Sequence, residues 1–193
     1  MMKLFGSYTS PYVRHCRIAL LQEGKQEGVD FEFVETDYAT SKAESPTAKV
    51  PFFQDGDLFL TDSSSITKYI REMAGKDFIP SVNDFDGYAL VNTVMDSAIN
   101  IFLLERDGIT FENSDYLKRQ AYRVAIGLAE LDGLIKNRLS LGITIDNDFL
   151  LRTACFLDWG LYRQRFDFGD FENLVNLLVE AKENGIFEST SPP

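Results

Sequence analysis

Tyr8, Thr9 and Ser10 are the last three of four consecutive hydroxyl side chains, which begin at Ser7 and stand directly before Pro11 near the amino terminus. Serine is preferred at the position just before a helix and proline at the first helical position, so Ser10-Pro11 predicts a helix start. A helix start offers unpaired N–H groups and the positive end of the helix dipole, which attract anions. The three hydroxyls are therefore candidates for contact with a negatively charged group.

Several kinds of site are excluded by the residues that the sequence lacks. His15 is the only histidine, and the two cysteines, Cys16 and Cys155, form no CxxC pair, so a zinc site of the usual Cys/His kind has too few ligands. No GxSxG turn accompanies the histidine, and neither GxxxxGK[ST] nor GxGxxG occurs. We therefore expect no metal site, no serine hydrolase triad and no nucleotide loop of the usual types.

Composition narrows the class of protein further. The 193 residues are 45% hydrophobic and 25% charged, which are ordinary globular values, and the formal net charge is −11. An acidic surface repels phosphate backbones, so we expect no nucleic-acid partner. The uninterrupted apolar runs are much shorter than a bilayer requires, and the amino terminus lacks the layout of a signal peptide. We therefore expect a cytoplasmic protein with no membrane partner.

The first 75 residues mix strand and helix signals. Residues 3–8 predict a strand, and the helix that starts at Ser10 should end at Gly24. Alternating apolar residues around Phe31 predict a second strand, and two apolar runs on either side of Asp55-Gly56 predict a hairpin. A helix follows, because Ile66, Tyr69, Ile70 and Met73 recur on one helical face.

The rest of the chain shows only helical patterns. Residues 75–87 are rich in Gly, Pro and Asp and predict a linker, after which helices should fill residues 88–193 apart from a loose tail at 183–193. Thr144 with Asn147 three residues later indicates the start of one of these helices. Residues 1–75 carry 8 Lys+Arg against 11 Asp+Glu, and the remainder 11 against 19, so the first part is the better place for an anionic ligand.

Three segments resemble motifs of the glutathione transferase family. Residues 7–14 (SYTSPYVR) resemble the strand-to-helix turn of its serine and cysteine classes. Residues 49–51 (KVP) are similar to the family's K-[VI]-P, whose proline is cis, and residues 62–70 (DSSSITKYI) to its [ED]-S-x-[AS]-I-x-x-Y-[IL]. The resemblance implies an α/β plus all-α fold, with a thioredoxin-like glutathione-binding domain at 1–75, a linker at 76–87 and an all-helical domain at 88–193.

The resemblance also implies an activity and a catalytic hydroxyl. A family member of this type binds glutathione as co-substrate, without a metal, and its thiolate attacks a small apolar electrophile, often in detoxification by a homodimer. Ser10 matches the position of the catalytic serine or cysteine, and Thr9 or Tyr8 is an alternative source of the hydroxyl. The plain structural interpretations are a helix cap for Ser10 and a core-facing strand residue for Tyr8.

Five further residues match the family's glutathione-binding positions. Val50 and Pro51 would present backbone N–H and C=O groups to the tripeptide as an added strand does. Lys49 would pair with a carboxylate, Ser63 would hold the γ-glutamyl carboxylate at a helix start, and Asp62 would take the ammonium group. Asp62 and Ser63 can equally be a plain capping pair, and Lys49 a solvated lysine.

Some residues depart from the family pattern or are assigned structural roles. Residues 45–48 read SPTA where the family usually has N-P-x-G. We expect Arg14 and His15 to be exposed, and Cys16 to be buried in the packing of the first helix. A phenylalanine-rich stretch is either an aromatic core or the lining of an electrophile pocket: Phe149, Phe156, Phe166, Phe168, Phe171.

Three functions remain open from the sequence alone. The first is a glutathione transferase, and the second is a non-catalytic glutathione-binding or protein-interaction module. The third is a glutathione-dependent reductase or isomerase, for which a cysteine at position 10 would be the better residue.

Overall fold

The computed structural model describes residues 1–193 and divides them into two compact units. The N-terminal unit consists of Met1–Phe78 together with Lys182–Pro193, and the helical unit of Ile79–Ala181. The last twelve residues thus group with the N-terminal unit, whereas the sequence placed them in the helical domain.

The chain forms four strands and eight helices, with the strands confined to its first third. The strands are β1 (Met2–Gly6), β2 (Phe31–Glu35), β3 (Phe52–Asp55) and β4 (Leu58–Leu60). The helices are α1 (Pro11–Gln22), α2 (Tyr38–Glu44), α3 (Ser63–Met73), α4 (Val82–Arg106), α5 (Asp115–Ser140), α6 (Asp148–Tyr162), α7 (Glu172–Glu183) and α8 (Gly185–Ser189). The predicted order of strand, helix, strand, hairpin and helix is confirmed, with the short helix α2 added between β2 and the hairpin.

The four strands form one mixed sheet in the order β2-β1-β3-β4. β1 runs parallel to β2 and antiparallel to β3, with Phe5 opposite Phe52, and β4 returns antiparallel to β3, with Phe53 opposite Leu60. The carboxyl ends of β1 and β4 and the amino end of β3 therefore lie at the same edge of the sheet, which we call the site edge.

The apolar side of the sheet packs under α1 and α3. Gly6 at the end of β1 lets α1 approach closely, because a Cβ there would lie 2.5 Å from Cγ1 of Val13. Cys16 is fully buried in this core, as expected. The core consists of apolar residues from β1, α1, β2, β3 and α3: Met2, Leu4, Cys16, Ala19, Leu20, Phe31, Phe53, Ile66, Ile70.

In the helical unit, α4 packs against both α5 and α6. α4 begins at Val82, so its first turns occupy residues that the sequence assigned to a linker. Gly87 belongs to this helix, and its missing side chain makes room for the ring of Phe149. Gly127 in α5 does the same for Val94 of α4.

Side chains from one helix also cap or bridge the ends of others in this unit. Asn147 is the N-cap of α6, and its Oδ1 accepts from the amides of Phe149 and Leu150 at 3.0 and 3.3 Å, so the capping residue is Asn147 rather than Thr144. Asp132 of α5 accepts from the amides of Asn173 and Leu174 in the first turn of α7. These contacts fix where α6 and α7 start.

By length and composition, α4 is the one helix that could cross a membrane, with a window of mean hydropathy 1.3. The core helix of a bundle passes the same test, and α4 is packed on α5 and α6. This is weak support for a membrane span.

The carboxyl-terminal segment is folded, which contradicts the expectation of a loose tail. Asn184 caps α8 by accepting from the amides of Ile186 and Phe187. Phe187 and Thr190 are buried, and α8 packs against α1. The segment is therefore an integral part of the N-terminal unit.

Candidate functional site

The three segments that the sequence singled out meet at the site edge. The turn at residues 7–10 follows β1, Pro51 immediately precedes β3, and Asp62 follows β4 by two residues. Strand register therefore brings together residues that are more than 50 positions apart in sequence. The predicted site residues of all three segments belong to one corner of the N-terminal unit.

The turn between β1 and α1 is held by its own hydrogen bonds. The amide of Ser10 donates to the carbonyl oxygen of Ser7 at 3.1 Å, and the amide of Thr9 donates to Oγ of Ser7 at 3.3 Å. The hydroxyls of Ser7 and Thr9 are also hydrogen-bonded to each other at 3.1 Å. The Thr9 hydroxyl is thus engaged within the turn.

Ser10 is the N-cap of α1, as predicted, and Pro11 is the first helical residue. Its Oγ accepts from the amide of Val13 at 3.4 Å, and its carbonyl oxygen accepts from the amide of Arg14 at 3.0 Å. Because Oγ acts as an acceptor in this cap, its proton is left to donate to a further group. A half-exposed hydroxyl and the amides of a helix start therefore occur together here.

The Tyr8 ring packs against other side chains of the N-terminal unit. Its centroid lies 4.5 Å from that of Phe33, and the guanidinium of Arg17 lies 4.7 Å above it. Arg17 is itself buried and forms an ion pair with Glu27 at 3.3 Å. These contacts suit the packing interpretation of Tyr8.

The segment before β3 contains the cis peptide bond that the resemblance implies, between Val50 and Pro51. Lys49 is exposed and Val50 half-buried. Ala48 has a φ of +52°, a conformation that favours glycine, and this is where the family pattern has glycine.

Asp62 and Ser63 begin α3. Oδ1 of Asp62 accepts from the amides of Ser64 and Ser65 at 2.8 and 3.2 Å, which confirms the capping role of this residue. Ser63 is only 5% exposed. Its carbonyl oxygen accepts from Sγ of Cys16 at 3.6 Å and from the hydroxyl of Thr67 at 2.9 Å, so the first turn of α3 is fastened to α1.

Arg14 and His15 are buried, contrary to expectation, with Arg14 only 2% exposed. The Arg14 guanidinium donates to the carbonyl oxygen of Phe187 at 2.9 Å and to the hydroxyls of Thr190 and Ser191 at 3.2 and 3.3 Å. Its partners lie in the last seven residues of the chain, and no local pattern around Arg14 indicates them. The sequence analysis therefore missed this contact.

Three ionisable groups of the N-terminal unit, Glu23, Asp37 and Tyr69, have shifted pKa values, and the contacts of Tyr69 and Glu23 support its framework. The hydroxyl of Tyr69 on α3 donates to Oδ2 of Asp55 at 2.8 Å, and this hydrogen bond raises the pKa of Tyr69. Burial raises the pKa of Glu23, but hydrogen bonds and attraction from Lys76 and Arg71 outweigh it, so the pKa lies below its usual value.

The helical unit contains a cavity of about 390 Å³. Apolar side chains from α4 and α5, including Ile101, Val124 and Leu128, form much of its wall. Phe166 and Phe171 of the phenylalanine-rich stretch also line it, while Phe149, Phe156 and Phe168 are buried. The stretch therefore contributes both to the core and to a cavity.

Comparison with known proteins agrees with this architecture. The model of the glutathione S-transferase N-terminal domain matches residues 4–77. The GST-like protein YibF of Escherichia coli K12 is 28% identical over 207 aligned positions, which cover 100% of this chain and 99% of YibF.

Solved structures share the whole fold. A glutathione S-transferase from Methylobacillus flagellatus, with glutathione bound, aligns over 100% of both chains with a TM-score of 0.87 at 22% identity. A glutathione transferase family member from Pseudomonas fluorescens Pf-5, also with bound glutathione, aligns over 100% of both chains with a TM-score of 0.85 at 21% identity. Residues 4–77 of this chain therefore match the N-terminal domain of the glutathione S-transferase family, and the whole chain has the fold of solved glutathione transferases.

Proposed function

We propose that this protein is a glutathione transferase of the serine type, in which Ser10 stabilises the thiolate of bound glutathione for attack on an apolar electrophile. The observation that carries the proposal is the position of Ser10, whose hydroxyl stands at the start of α1 on the site edge. The bound glutathione in two proteins of the same fold supports the choice of ligand.

A helix start and one hydroxyl hydrogen bond together can supply the free energy needed to ionise the thiol of glutathione. A thiol with a pKa near 8.5 must be stabilised as thiolate by about 2.7 kcal/mol to lower its pKa by about two units. A helix start contributes roughly 0.3–1 kcal/mol, and up to about 2 kcal/mol when partly buried. A hydrogen bond to a charged acceptor adds about 1.5–3 kcal/mol. Ser10 can supply both contributions without a metal or a histidine.

Among the three hydroxyls, the contacts favour Ser10 as the thiolate donor. The Thr9 hydroxyl is bonded to Ser7, and the Tyr8 ring is stacked beside Phe33 and beneath Arg17. Thr9 can donate to a sulfur atom only if Ser7 is the donor of their shared hydrogen bond, and the Tyr8 ring is held by its packing contacts. The Ser10 hydroxyl can donate a hydrogen bond to the thiolate while its Oγ still accepts from the amide of Val13.

The remaining residues at the site edge suit the ends of the tripeptide. The backbone groups of Val50 before Pro51 would pair with the cysteinyl part of glutathione, as an added strand does. Lys49, which is exposed, would attract a carboxylate, and the start of α3 at Ser63 would hold the γ-glutamyl carboxylate. Asp62 would pair with the ammonium group.

The proposed co-substrate is a small apolar electrophile. The cavity in the helical unit supports this class, because its size falls within the range of small-molecule pockets and apolar side chains form much of its wall. Serine at position 10 favours conjugation over the thiol exchange that a cysteine would support.

The test compares Ser10→Ala with Ser114→Ala. Ser114 is the N-cap of α5 and accepts from the amide of Leu117 at 3.4 Å, the same distance as in the Ser10 cap, so it controls for the loss of a cap. Each variant is measured for retention on immobilised glutathione and for conjugation of a generic aryl halide. We expect the wild-type protein and Ser114→Ala to be retained and to turn over, and Ser10→Ala to lose at least tenfold in kcat/KM.

The same assay separates the alternatives. Retention without turnover of any aryl halide indicates a binding or interaction module. Turnover of a mixed disulfide without conjugation indicates a glutathione-dependent reductase. Turnover that is unaffected in Ser10→Ala but lost in Thr9→Val or Tyr8→Phe would assign the hydroxyl to one of those residues.

We also propose that the protein acts in the cytoplasm as a homodimer, with detoxification as its role. Family resemblance supports the dimer and the detoxification role. Sedimentation at about micromolar concentration tests the dimer, and a monomer mass would contradict it. Fractionation of cells that express the tagged full chain tests the location.

A further inference from the structure

Arg14 connects the two ends of the chain. Its guanidinium donates from Nε to the Thr190 hydroxyl at 3.2 Å and from one terminal nitrogen to the Phe187 carbonyl at 2.9 Å and the Ser191 hydroxyl at 3.3 Å. The same group lies 3.9 Å from the centroid of the Phe187 ring. Hydrogen bonds from a charged donor are stronger than those between neutral groups. The hydrogen bonds of Arg14 are therefore the principal polar contact between the carboxyl-terminal segment and α1.

The carboxyl-terminal segment is shaped to accept this side chain. Thr190 is 1% exposed, and its hydroxyl donates to the Phe187 carbonyl at 2.8 Å while it accepts from Arg14. Asn184 holds the turn that leads to Phe187. Hydrogen bonds within the segment itself therefore help to position the acceptors of Arg14.

Arg14 also closes the first turn of α1. Its amide donates to the carbonyl oxygen of Ser10 at 3.0 Å, and the preceding amide, that of Val13, donates to Oγ of Ser10 at 3.4 Å. A displacement of Arg14 would therefore disturb the two hydrogen bonds that orient Ser10. A buried guanidinium that loses its acceptors must reach water or other partners, because an unsatisfied charge is costly to bury.

We propose that Arg14 is a positioning residue, which the segment Phe187–Ser191 holds in place so that the first turn of α1 presents the Ser10 hydroxyl to the thiolate. The part of this proposal that concerns the thiolate rests on the proposed function. The part that concerns the order of the first turn is independent of any ligand.

The test uses the double variant Thr190→Val with Ser191→Ala, which removes two acceptors of Arg14 and keeps its charge. The matched control is Ser189→Ala, because the Ser189 hydroxyl lies in the same segment, is exposed and donates to Ile186 instead. Arg14→Lys is a second variant, which retains the charge but loses the forked geometry of the guanidinium.

The first readout is amide hydrogen exchange in the ligand-free protein. We expect the amides at positions 13 and 14 to exchange at least fivefold faster in the double variant and in Arg14→Lys than in Ser189→Ala. Amides in the middle of α5 serve as the internal reference and should keep their wild-type rates. Faster exchange throughout the chain, or unchanged exchange at positions 13 and 14, would overturn the proposal.

The second readout is the pH profile of kcat/KM for conjugation. We expect its acid limb to move up by about half a unit to one unit in the double variant, with the KM for glutathione changed less than twofold. A lowered kcat/KM with an unshifted acid limb would mean that Arg14 is only structural, and would overturn its positioning role. Absence of turnover in the wild-type protein would instead contradict the proposed function, and hydrogen exchange would then decide the first-turn part alone.

Discussion

Sγ of Cys16 lies 3.6 Å from the carbonyl oxygen of Ser63, and this contact joins the two helices whose first turns form the candidate site. Cys16 is one turn beyond the start of α1, while Ser63 is the first residue of α3. The buried thiol therefore helps to fix the distance between Ser10, the proposed thiolate donor, and Ser63, the proposed γ-glutamyl site.

Replacing Cys16 with alanine should weaken this connection. We expect Cys16→Ala to lower the free energy of unfolding by about 1 kcal/mol, because a buried group is removed and a small cavity remains. Cys155→Ala is the control, since Cys155 is equally buried but belongs to the helical unit. Both variants should lose stability in urea, but only Cys16→Ala should weaken retention on immobilised glutathione. Equal retention by the two variants would contradict the connection between α1 and α3 that we describe.

Two glycines of α5 should respond to alanine with opposite signs. A Cβ at Gly127 would lie 2.2 Å from Cγ2 of Val94, so Gly127→Ala should destabilise the protein by about 1–3 kcal/mol through overpacking. Beyond the neighbouring backbone of its own helix, no atom lies within 4 Å of a Cβ at Gly133, so Gly133→Ala should stabilise the protein by about 0.5–1 kcal/mol through helix propensity. Thermal unfolding of both variants measures this, and a stabilising Gly127→Ala would show that α4 and α5 do not pack this closely.

A glycine at position 48 should remove the backbone strain in the loop that leads to Val50. Ala48 has a φ of +52°, where an alanine costs about 1–2 kcal/mol, against about 0.5–1 kcal/mol of extra chain entropy for glycine. We therefore expect Ala48→Gly to raise the free energy of unfolding by about 0.5 kcal/mol or more. Ala43→Gly, inside α2, should lower it by up to about 1 kcal/mol. Urea unfolding in which both variants lose stability would argue against the left-handed conformation at Ala48.

Acid should weaken the ion-pair cluster around Glu23. Lys76 at 2.8 Å and Arg71 hold the pKa of Glu23 below its ordinary value of 4.5 despite burial, so the charged carboxylate stabilises the folded state above pH 4.5. This stabilisation is lost as the pH falls through the folded-state pKa. Glu23→Gln should therefore lose about 1.5–3 kcal/mol at neutral pH and respond less steeply to acid than the wild-type protein.

The control for this prediction is Glu72→Gln. Glu72 pairs with Lys68 on the surface of α3, and an exposed pair of this kind contributes at most about 1 kcal/mol. Urea unfolding curves at a series of pH values compare the variants. An acid response of Glu23→Gln as steep as that of the wild-type protein would mean that another group causes it.

Local signals allowed much of the N-terminal unit and its candidate site to be predicted. Ser10-Pro11, the turn at Gly56 and the cap at Asp62 each depend on neighbours within a few residues, and the structure confirms all three features. The resemblance then indicated that these segments belong together. Strand register explains why they meet at one edge of the sheet.

The features that were missed depend on distant residues. The acceptors of Arg14 lie 173 or more positions away, in a segment whose small polar residues and prolines suggested disorder. Gly87 suggested a linker, whereas it is a helical residue that accommodates the ring of Phe149. Neither role has a signal in the local sequence, because each depends on tertiary packing.

The thiol pKa of glutathione bound to the wild-type protein, to Ser10→Ala and to Ser114→Ala tests the central claim most directly. It can be followed by the ultraviolet absorbance of the thiolate during a pH titration at saturating glutathione. We predict a pKa near 6.5 for the wild-type protein and Ser114→Ala, about two units below that of a free thiol, and a rise of at least about one unit in Ser10→Ala. A bound thiol that titrates near 8.5 in the wild-type protein, or a pKa that Ser10→Ala leaves unchanged, would contradict the claim that Ser10 stabilises the thiolate.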